Sequence, residues 1–350
     1  MKTIRLNILL LLAMLLPGIT IAGEYEDITK EKRISKTYLV NSNAGLEINN
    51  QYGQVYVTTW DENKTSIEVV IRVSAKNEEK VNRRLNGIDI EIEALKSLIK
   101  ATTHIDNFSG GNISMEINYT IKIPKNGSIN IDNQYGAIKF GTINGSSIIK
   151  CQYGDVYGDA LNNNNNVIKI EYCGKSQIGY MKNGAVKAAY SDFNLTKGVN
   201  LVLNSEYTNI TIGRVNEITY RTEYGDVKIS DGGKITGNAN YSSTRIANLS
   251  SQLNLTTNYG DINIAKVDKS TRNIAINATY TNVTVKYDDA FAFDFEFKLE
   301  YGNLSGTSGL KFTEKKERDF SSSYKGSYRN SGENRMYIKA EYGNINLGKN

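Results

Sequence analysis

Residues 203–229 read LNSEYTNITIGRVNEITYRTEYGDVKI, and the architecture of the whole chain follows from this segment. It contains one short pattern twice, around Tyr207 and Tyr224: a polar residue, a tyrosine, a small residue, an Asp or Asn, and an aliphatic residue. Apolar and polar residues alternate on both sides of each tyrosine, which is the period of a half-buried β-strand. The pattern predicts a strand up to the tyrosine, a two-residue corner after it, and a second short strand.

The same pattern recurs along most of the chain. Its tyrosines are Tyr52, Tyr135, Tyr153, Tyr172, Tyr190, Tyr207, Tyr224, Tyr241, Tyr259, Tyr280, Tyr301 and Tyr342. From Tyr135 to Tyr301 the steps are 17–21 residues long, and the last step to Tyr342 is 41 residues. Repeats of this length are typical of stacked solenoid coils. The sequence therefore predicts an all-β, parallel β-helix-like solenoid of about 17–21 residues per coil.

The alternation of apolar residues also predicts which side chains face inward. Apolar residues lie at even distances before each tyrosine and three and five positions after it, as Leu203 and Ile210 do around Tyr207. If the alternation continues through the tyrosine, the tyrosine also faces inward. This predicts a buried ring with a structural role that stacks on the equivalent rings of neighbouring coils. A corner glycine would supply the unusual backbone angle, and the Asp or Asn after it would form a polar ladder. The alternative is an outward row of tyrosines that binds sugars.

The N-terminus has the features of a secretory signal peptide, residues 1–22. Two basic residues precede an apolar run from Leu6 to Leu16, and the segment ends in Thr20-Ile21-Ala22. No other stretch approaches the roughly 18 apolar residues of a membrane helix. We expect an exported protein without an integral membrane segment after signal removal, located in the periplasm, at the cell surface or outside the cell.

The mature chain divides into two predicted regions. Residues 23–126 form an N-terminal β-rich cap with the first coil and one short helix at 77–86, and residues 127–350 form the solenoid repeat domain. An insertion at about 306–333 is either a hairpin or a mobile loop, and the repeat from Met336 to Leu347 is expected to close the array. Solenoids need such caps to cover their ends.

The composition excludes several classes of function. The chain has 42 Lys and Arg against 37 Asp and Glu, spread along the sequence, so no nucleic-acid-binding stripe is indicated. His104, the single histidine, lies in a polar segment and is expected at the surface, which argues against catalytic triads and histidine metal sites. No phosphate-binding glycine loop is present. We predict no catalytic, cofactor-binding or metal-binding residues, and no cofactor.

Two features leave alternatives open. Cys151 has the parity of an inward residue and Cys173 falls in a corner, so a disulfide between them is geometrically awkward, although export would favour one. The asparagines at 162–166 are expected to form a surface loop between coils.

Several segments together resemble a known family. They are the signal peptide, Leu46-Glu47-Ile48, the VYVTTWD segment at 55–61, Ile121-Lys122-Ile123-Pro124 and the repeated Tyr-Gly-Asp-Val. This combination resembles the putative adhesin family of exported bacterial β-strand-repeat proteins. The resemblance implies a β-solenoid and an adhesin-like role, and it brings no catalytic residues. Ser, Thr or Cys replaces the corner glycine in several coils.

The sequence favours a non-enzymatic exported envelope or cell-surface protein, either an adhesin-like binding protein or a structural scaffold. Its partner would be an envelope glycan, a protein or another copy of the chain. One alternative is a carbohydrate-active β-helix enzyme, which requires a cleft that gathers two carboxylates or a carboxylate with an arginine. Another is a periplasmic partner in envelope stress or regulation.

Overall fold

The structure is a computed structural model that describes residues 27–107, 111–332 and 334–350. The predicted signal peptide, residues 1–22, lies outside the described residues. Within them, one helix accompanies twenty-four β-strands.

The secondary-structure elements follow in chain order. The N-terminal part contains β1 (Ile28–Leu39), β2 (Gly45–Gln51), β3 (Val55–Trp60), β4 (Lys64–Ala75), α1 (Glu78–Asn86), β5 (Ile88–Ala94), β6 (Leu98–Ile105) and β7 (Ser114–Pro124). The middle contains β8 (Ile129–Gln134), β9 (Ile138–Ile143), β10 (Ser147–Gln152), β11 (Val156–Leu161), β12 (Asn166–Glu171), β13 (Ser176–Ala189), β14 (Asp192–Glu206), β15 (Asn209–Glu223), β16 (Val227–Asn240), β17 (Thr244–Val267) and β18 (Asn273–Tyr287). The C-terminal part contains β19 (Phe293–Glu300), β20 (Leu304–Ser305), β21 (Leu310–Arg318), β22 (Ser321–Tyr328), β23 (Arg335–Glu341) and β24 (Ile345–Lys349).

Successive coils pair as parallel strands in register. Between β14 and β15, Leu203 lies opposite Tyr220, and between β15 and β16, Ile210 lies opposite Val227. Each coil therefore repeats the path of its neighbour, displaced by one strand spacing of about 4.8 Å. The predicted all-β solenoid is confirmed.

Aliphatic side chains fill the interior of the coils. Around Tyr207, the buried residues are Leu203 before it and Ile210, Ile212 and Val215 after it, at the positions the alternation predicts. Branched side chains suit such pleated surfaces. Because each coil packs against its two neighbours, the solenoid is stabilised coil by coil.

Antiparallel strands and the helix close the N-terminal end. β6 and β7 continue the coils in parallel beside β2 and β3, while β4 pairs antiparallel with both β7 and β1. α1 begins after Asn77, whose side chain accepts a hydrogen bond from the Lys80 N–H at 3.0 Å, and it buries Val81. The division of the chain at residue 126 stays a prediction.

The C-terminal end differs from the expected order of coils. β23 lies between β18 and β19, and β24 lies between β18 and β20, with parallel pairing on both sides. The repeat that contains Tyr342 is therefore the penultimate coil in space. The prediction that it closes the array was wrong, because strands that follow one another in the chain need not be neighbours in the sheet.

The insertion at about 306–333 forms a hairpin at the end of the solenoid. β21 pairs antiparallel with β22, and β22 pairs antiparallel with β19. The outer strand β21 carries four basic residues, Lys311, Lys315, Lys316 and Arg318, and β1 at the opposite end also carries four. Charged edge strands resist pairing with another chain. Both of these edges are therefore protected against end-to-end association.

Candidate functional site

The repeat tyrosines lie on the outside of the solenoid. All twelve have a left-handed backbone, with φ between +48° and +59°, and they are 39–50% exposed. A left-handed residue breaks the alternation of a strand, so its side chain leaves the inward series. The following residue takes the buried position instead, as Thr208 does after Tyr207. The prediction that the tyrosines are buried was therefore wrong.

The exposed rings form one continuous stack, which we call the tyrosine column. In spatial order it consists of Tyr52, Tyr135, Tyr153, Tyr172, Tyr190, Tyr207, Tyr224, Tyr241, Tyr259, Tyr280, Tyr342 and Tyr301. Neighbouring ring centroids are 4.7–5.1 Å apart and neighbouring planes differ by 3–10°. Phe320, in the turn between β21 and β22, stacks on Tyr301 at 5.3 Å. The column runs about 50 Å, since each step is one strand spacing.

The residue after each tyrosine is small because neighbouring coils approach closely at the corner. A Cβ atom on Gly225 would lie 2.1 Å from the carbonyl oxygen of Thr208. Gly225 itself does not have a positive φ, whereas Tyr224 does. The expectation that glycine supplies the unusual backbone angle was therefore wrong, since the tyrosine adopts it and the glycine provides space.

Corners that carry Ser or Thr use a hydroxyl group to connect coils. Thr208 Oγ1 accepts a hydrogen bond from the Ser191 N–H at 3.2 Å and donates to the carbonyl two residues before it at 2.9 Å. Ser242 Oγ accepts from the Gly225 N–H at 3.0 Å and donates in the same way at 2.8 Å. These hydroxyls satisfy backbone donors of the neighbouring coil.

A ladder of Asp and Asn side chains lies on one side of the tyrosine column, two residues after eight of the twelve tyrosines. The other four coils have Gln54, Ala137, Gly174 and Ser243 at this position. Asn209 donates to Asp192 Oδ1 at 3.1 Å and accepts from the Asp226 N–H at 3.3 Å. Asn282 accepts from the Asn344 N–H at 3.1 Å. The predicted polar ladder is confirmed by these bonds.

A second ladder of amides and carboxylates lies on the other side of the column, one residue before ten of the twelve tyrosines, with Ala189 and Thr279 at the other two positions. Gln134 Nε2 donates to Gln152 Oε1 at 3.1 Å, and Gln152 Nε2 donates to Glu171 Oε2 at 2.9 Å. Ala189 interrupts the row on the next coil, and Glu206 and Glu223 resume it on the two coils after that. The rings are therefore flanked on both sides by amides and carboxylates.

The tyrosine column is costly in backbone energy. A left-handed conformation costs a residue other than glycine about 1–2 kcal/mol, and Asn tolerates it better than most. A stacked aromatic pair contributes about 0.5–1.5 kcal/mol beyond the area that its rings bury. Stacking and the apolar area that each half-buried ring removes from water together offset this strain. Residues in strained backbone conformations cluster at functional sites of proteins. The exposed tyrosine column is therefore the candidate functional site.

The stack exposes the edges and hydroxyl groups of the rings. Neighbouring tyrosines cover both faces of each ring inside the column. Among the described residues, no side chain or backbone group forms a hydrogen bond with a column hydroxyl. Desolvation, and then the negative charge of Glu206, raise the pKa of Tyr190 above its ordinary value. The Tyr190 phenol is therefore a protonated donor at neutral pH.

The cysteines and the histidine form no site. Cys151 and Cys173 are buried free thiols, with Cys173 Sγ 3.4 Å from the Cys151 carbonyl oxygen. A hydrogen bond with the Cys173 side chain, together with burial, raises the pKa of the Cys151 thiol. His104 lies on β6 with its ring exposed, as expected from the sequence, and contacts Glu91 at 2.8 Å.

The asparagine-rich segment forms a loop at 162–165, while Asn166 is buried and begins β12. Asn183 donates to Asn164 Oδ1 at 3.0 Å, and Asn200 donates to Asn183 Oδ1 at 2.9 Å. A depression of about 500 Å³ lies beside these side chains. The segment therefore starts an asparagine ladder on the outer face of β13 and β14.

Two shallow depressions combine carboxylates with an arginine. One, of about 280 Å³, is lined by Glu300, Glu341 and Arg318 near the C-terminal end of the column. The other, of about 130 Å³, is lined by Glu206, Glu223 and Arg221. In each, the carboxylates come from paired neighbouring strands and lie on the open outer face. No group of three residues suited to a metal ion occurs within the ranges that the structure describes.

No helix in the described part of the chain has the length and hydrophobicity needed to cross a membrane.

The sequence matches a known protein family. The sequence profile of the family described as Toastrack DUF4097 matches residues 43–348. No curated protein matches the chain.

Three solved structures are similar to the chain at low sequence identity. A putative cell adhesion protein from Clostridium sporogenes has 13% identity over 92% of this chain and 100% of its own, with a TM-score of 0.21. A putative adhesin from Bacteroides fragilis has 13% identity over 90% and 97%, with a TM-score of 0.27. A putative adhesin from Parabacteroides distasonis has 11% identity over 90% and 97%, with a TM-score of 0.33.

Proposed function

The chain belongs to the Toastrack DUF4097 family, and from that premise we propose a non-enzymatic, adhesin-like protein of the cell envelope or cell surface that binds an extended partner along the tyrosine column. The partner is a glycan or a protein of the envelope. Binding requires no cofactor.

The observation that carries this proposal is the exposure of all twelve repeat tyrosines in a strained backbone conformation. Large exposed aromatic surfaces mark interaction sites on soluble proteins. Tyrosine is enriched at interfaces because it combines contact area with a hydrogen-bonding group and few rotatable bonds. A straight column about 50 Å long suits a partner that is itself extended.

The location outside the cytoplasm rests on residues 1–22, which have the composition of a cleavable signal peptide. Detection of the uncleaved chain in the cytoplasm by cell fractionation would contradict it.

The proposal is tested with purified residues 23–350 in a sedimentation assay on isolated cell envelopes. The test variant replaces Tyr190, Tyr207, Tyr224 and Tyr241 with Asn, which removes four rings but tolerates the left-handed backbone. The control variant replaces Thr211 and Lys228 with Ala, on the outer face of β15 and β16. We expect the wild type and the control to sediment with envelopes and the Asn variant to stay in solution.

Two results would overturn the proposal. One is a wild-type protein that stays in solution, and the other is an Asn variant that sediments as fully as the wild type. Circular dichroism and thermal unfolding of each variant show whether the fold is retained.

A second candidate function is glycan cleavage in the depression lined by Glu300, Glu341 and Arg318. Two carboxylates are the minimum that most glycoside hydrolases need. Incubation with envelope polysaccharides should release no new reducing ends if the protein is not an enzyme. Release that is lost in both Glu300→Gln and Glu341→Gln would establish the enzymatic function instead.

A further inference from the structure

We infer that the partner bound along the tyrosine column is a linear, uncharged glycan strand. This inference rests on the proposed function and specifies the chemical class of its ligand.

The residues beside the column contain no cationic group. The two ladders that flank the rings, one residue before and two residues after each of the twelve tyrosines, together contain nine carboxylates, ten amides and no Lys or Arg. The next outward position on each side of the column carries nine Lys and Arg residues. Several of these pair with the ladder carboxylates: Arg221 contacts Glu223 at 3.3 Å and Arg245 contacts Asp226 at 2.5 Å. The column and its surroundings therefore carry little net charge, which favours an uncharged partner over a polymer with one charge on every unit.

Hydrogen-bonding groups on this surface match the hydroxyl groups of sugars. The phenol hydroxyls are donors and acceptors with no partner among the described residues, and the flanking amides and carboxylates supply further acceptors. Sugar hydroxyls also both donate and accept, so they can satisfy every group on the surface without bringing a charge.

The stack determines how a sugar approaches. Inside the column neither face of a ring such as Tyr207 is free, because Tyr190 and Tyr224 cover them at 4.9 and 4.8 Å. A sugar therefore contacts ring edges and hydroxyls rather than lying flat on an aromatic face. Affinity then depends on the phenol oxygens, which distinguishes this surface from an aromatic platform.

Two other extended partners fit less well. An extended peptide presents side chains to one face at intervals of about 6.6–6.8 Å. The rings of the column are spaced by about 4.8 Å, so the two repeats do not match. A second copy of the chain has the same spacing, but face to face it would set the carboxylate row beside the rings, which includes Glu206, against the same row of the other copy. An uncharged chain of sugars avoids the charge conflict.

The inference is tested by affinity electrophoresis and calorimetry with purified residues 23–350. The neutral probes are soluble cellulose oligomers, laminarin and mannan, and the anionic probe is polygalacturonate. The test variant replaces Tyr190, Tyr207, Tyr224 and Tyr241 with Phe, which keeps the stacked rings and removes four hydroxyls. We expect binding to at least one neutral probe, little change between 50 and 500 mM salt, and a loss of about tenfold or more in the Phe variant.

The possible results distinguish a failure of the glycan inference from a failure of the proposed binding function. Stronger binding to polygalacturonate, equal binding by the Phe variant, or no binding to any neutral probe overturns the glycan inference. If these results coincide with envelope retention that is lost in the four-Asn variant, the column is still a binding surface and the proposed function stands. If the four-Asn variant also sediments with envelopes, the glycan inference and the proposed function both fail.

Discussion

Tyr280 stacks on Tyr342 with ring centroids 4.7 Å apart, although Tyr301 is the next repeat along the chain. Tyr301 stacks on the other face of Tyr342 at 4.8 Å. The C-terminal repeat is thus inserted between two coils that precede it in sequence. β23 and β24 complete the pairing of β18, β19 and β20, so the last residues of the chain lie within the sheet rather than at its edge.

Removal of residues 334–350 should destabilise the protein far more than loss of an ordinary chain terminus. The truncation deletes the buried Met336, Ile338, Ala340 and Ile345 and leaves strand edges unpaired on both sides. We expect a fall of about 10 °C or more in the midpoint of thermal unfolding, or aggregation. Removal of Asn350 alone is the control and should change the midpoint by about 1 °C at most. A truncated protein as stable as the wild type would contradict the inserted arrangement.

Substitutions at Tyr207 should separate ring stacking from backbone strain. Tyr207→Ala loses two stacking contacts, and alanine disfavours the left-handed conformation as tyrosine does. We therefore expect a loss of about 1–3 kcal/mol in the free energy of unfolding. Tyr207→Asn loses the same contacts but relieves strain, and should be about 1 kcal/mol more stable than the alanine variant. Urea denaturation measures both values. Equal stabilities would show that the positive φ carries no cost.

The corner hydroxyl of Ser242 should contribute measurably to stability. Ser242→Ala leaves the Gly225 N–H without its acceptor, and an unsatisfied buried donor costs about 1–3 kcal/mol. The exposed Ser230, for which the structure gives no hydrogen bond, is the matched control, and Ser230→Ala should change stability by less than about 0.5 kcal/mol. Urea denaturation of the two variants compares them directly, and similar values would exclude a structural role for the corner bond.

Stability should fall at alkaline pH because buried phenols must stay neutral in the folded protein. Burial raises the pKa of Tyr119 to about 12, although its bond to Thr103 acts in the opposite direction. An unfolded tyrosine ionises near pH 10, so the stabilisation is complete below about pH 10 and is lost as the pH rises towards 12.

Urea denaturation between pH 8 and 12 measures this effect. Tyr119→Phe should lower the pH dependence, since it removes one of the phenols responsible. A free energy of unfolding that stays constant up to pH 12 would contradict the expectation.

The repeat length and the buried aliphatic positions could be predicted from the sequence because both are local and periodic. Leu203, Ile210 and Ile212 alternate with polar residues as strand geometry requires, and all three are buried. The direction of Tyr207 could not be obtained by extending that alternation, because a single left-handed residue reverses it. One signal was available in the corner residue, which is Gly, Ser, Thr or Cys in every coil and therefore marks the crowded inward position.

The order of the last coils was not predictable in this way. Each coil has the same pattern, so nothing local distinguishes a neighbour in the chain from a neighbour in space. The 41-residue step before Tyr342 indicated an insertion, yet the position of β23 depends on pairing with β18, more than forty residues earlier. The polar ladders beside the column, in contrast, follow from residues at constant positions relative to each tyrosine.

The specialised ends of the solenoid constrain how the protein can change in length during evolution. α1 and the antiparallel strands occupy one end, and the β21–β22 hairpin with the inserted C-terminal repeat occupies the other. Whole coils between Tyr135 and Tyr259 are the units that can be duplicated or deleted without disturbing either end. Each duplication would add one ring and about 5 Å to the column, so descendants could match partners of different length in regular increments.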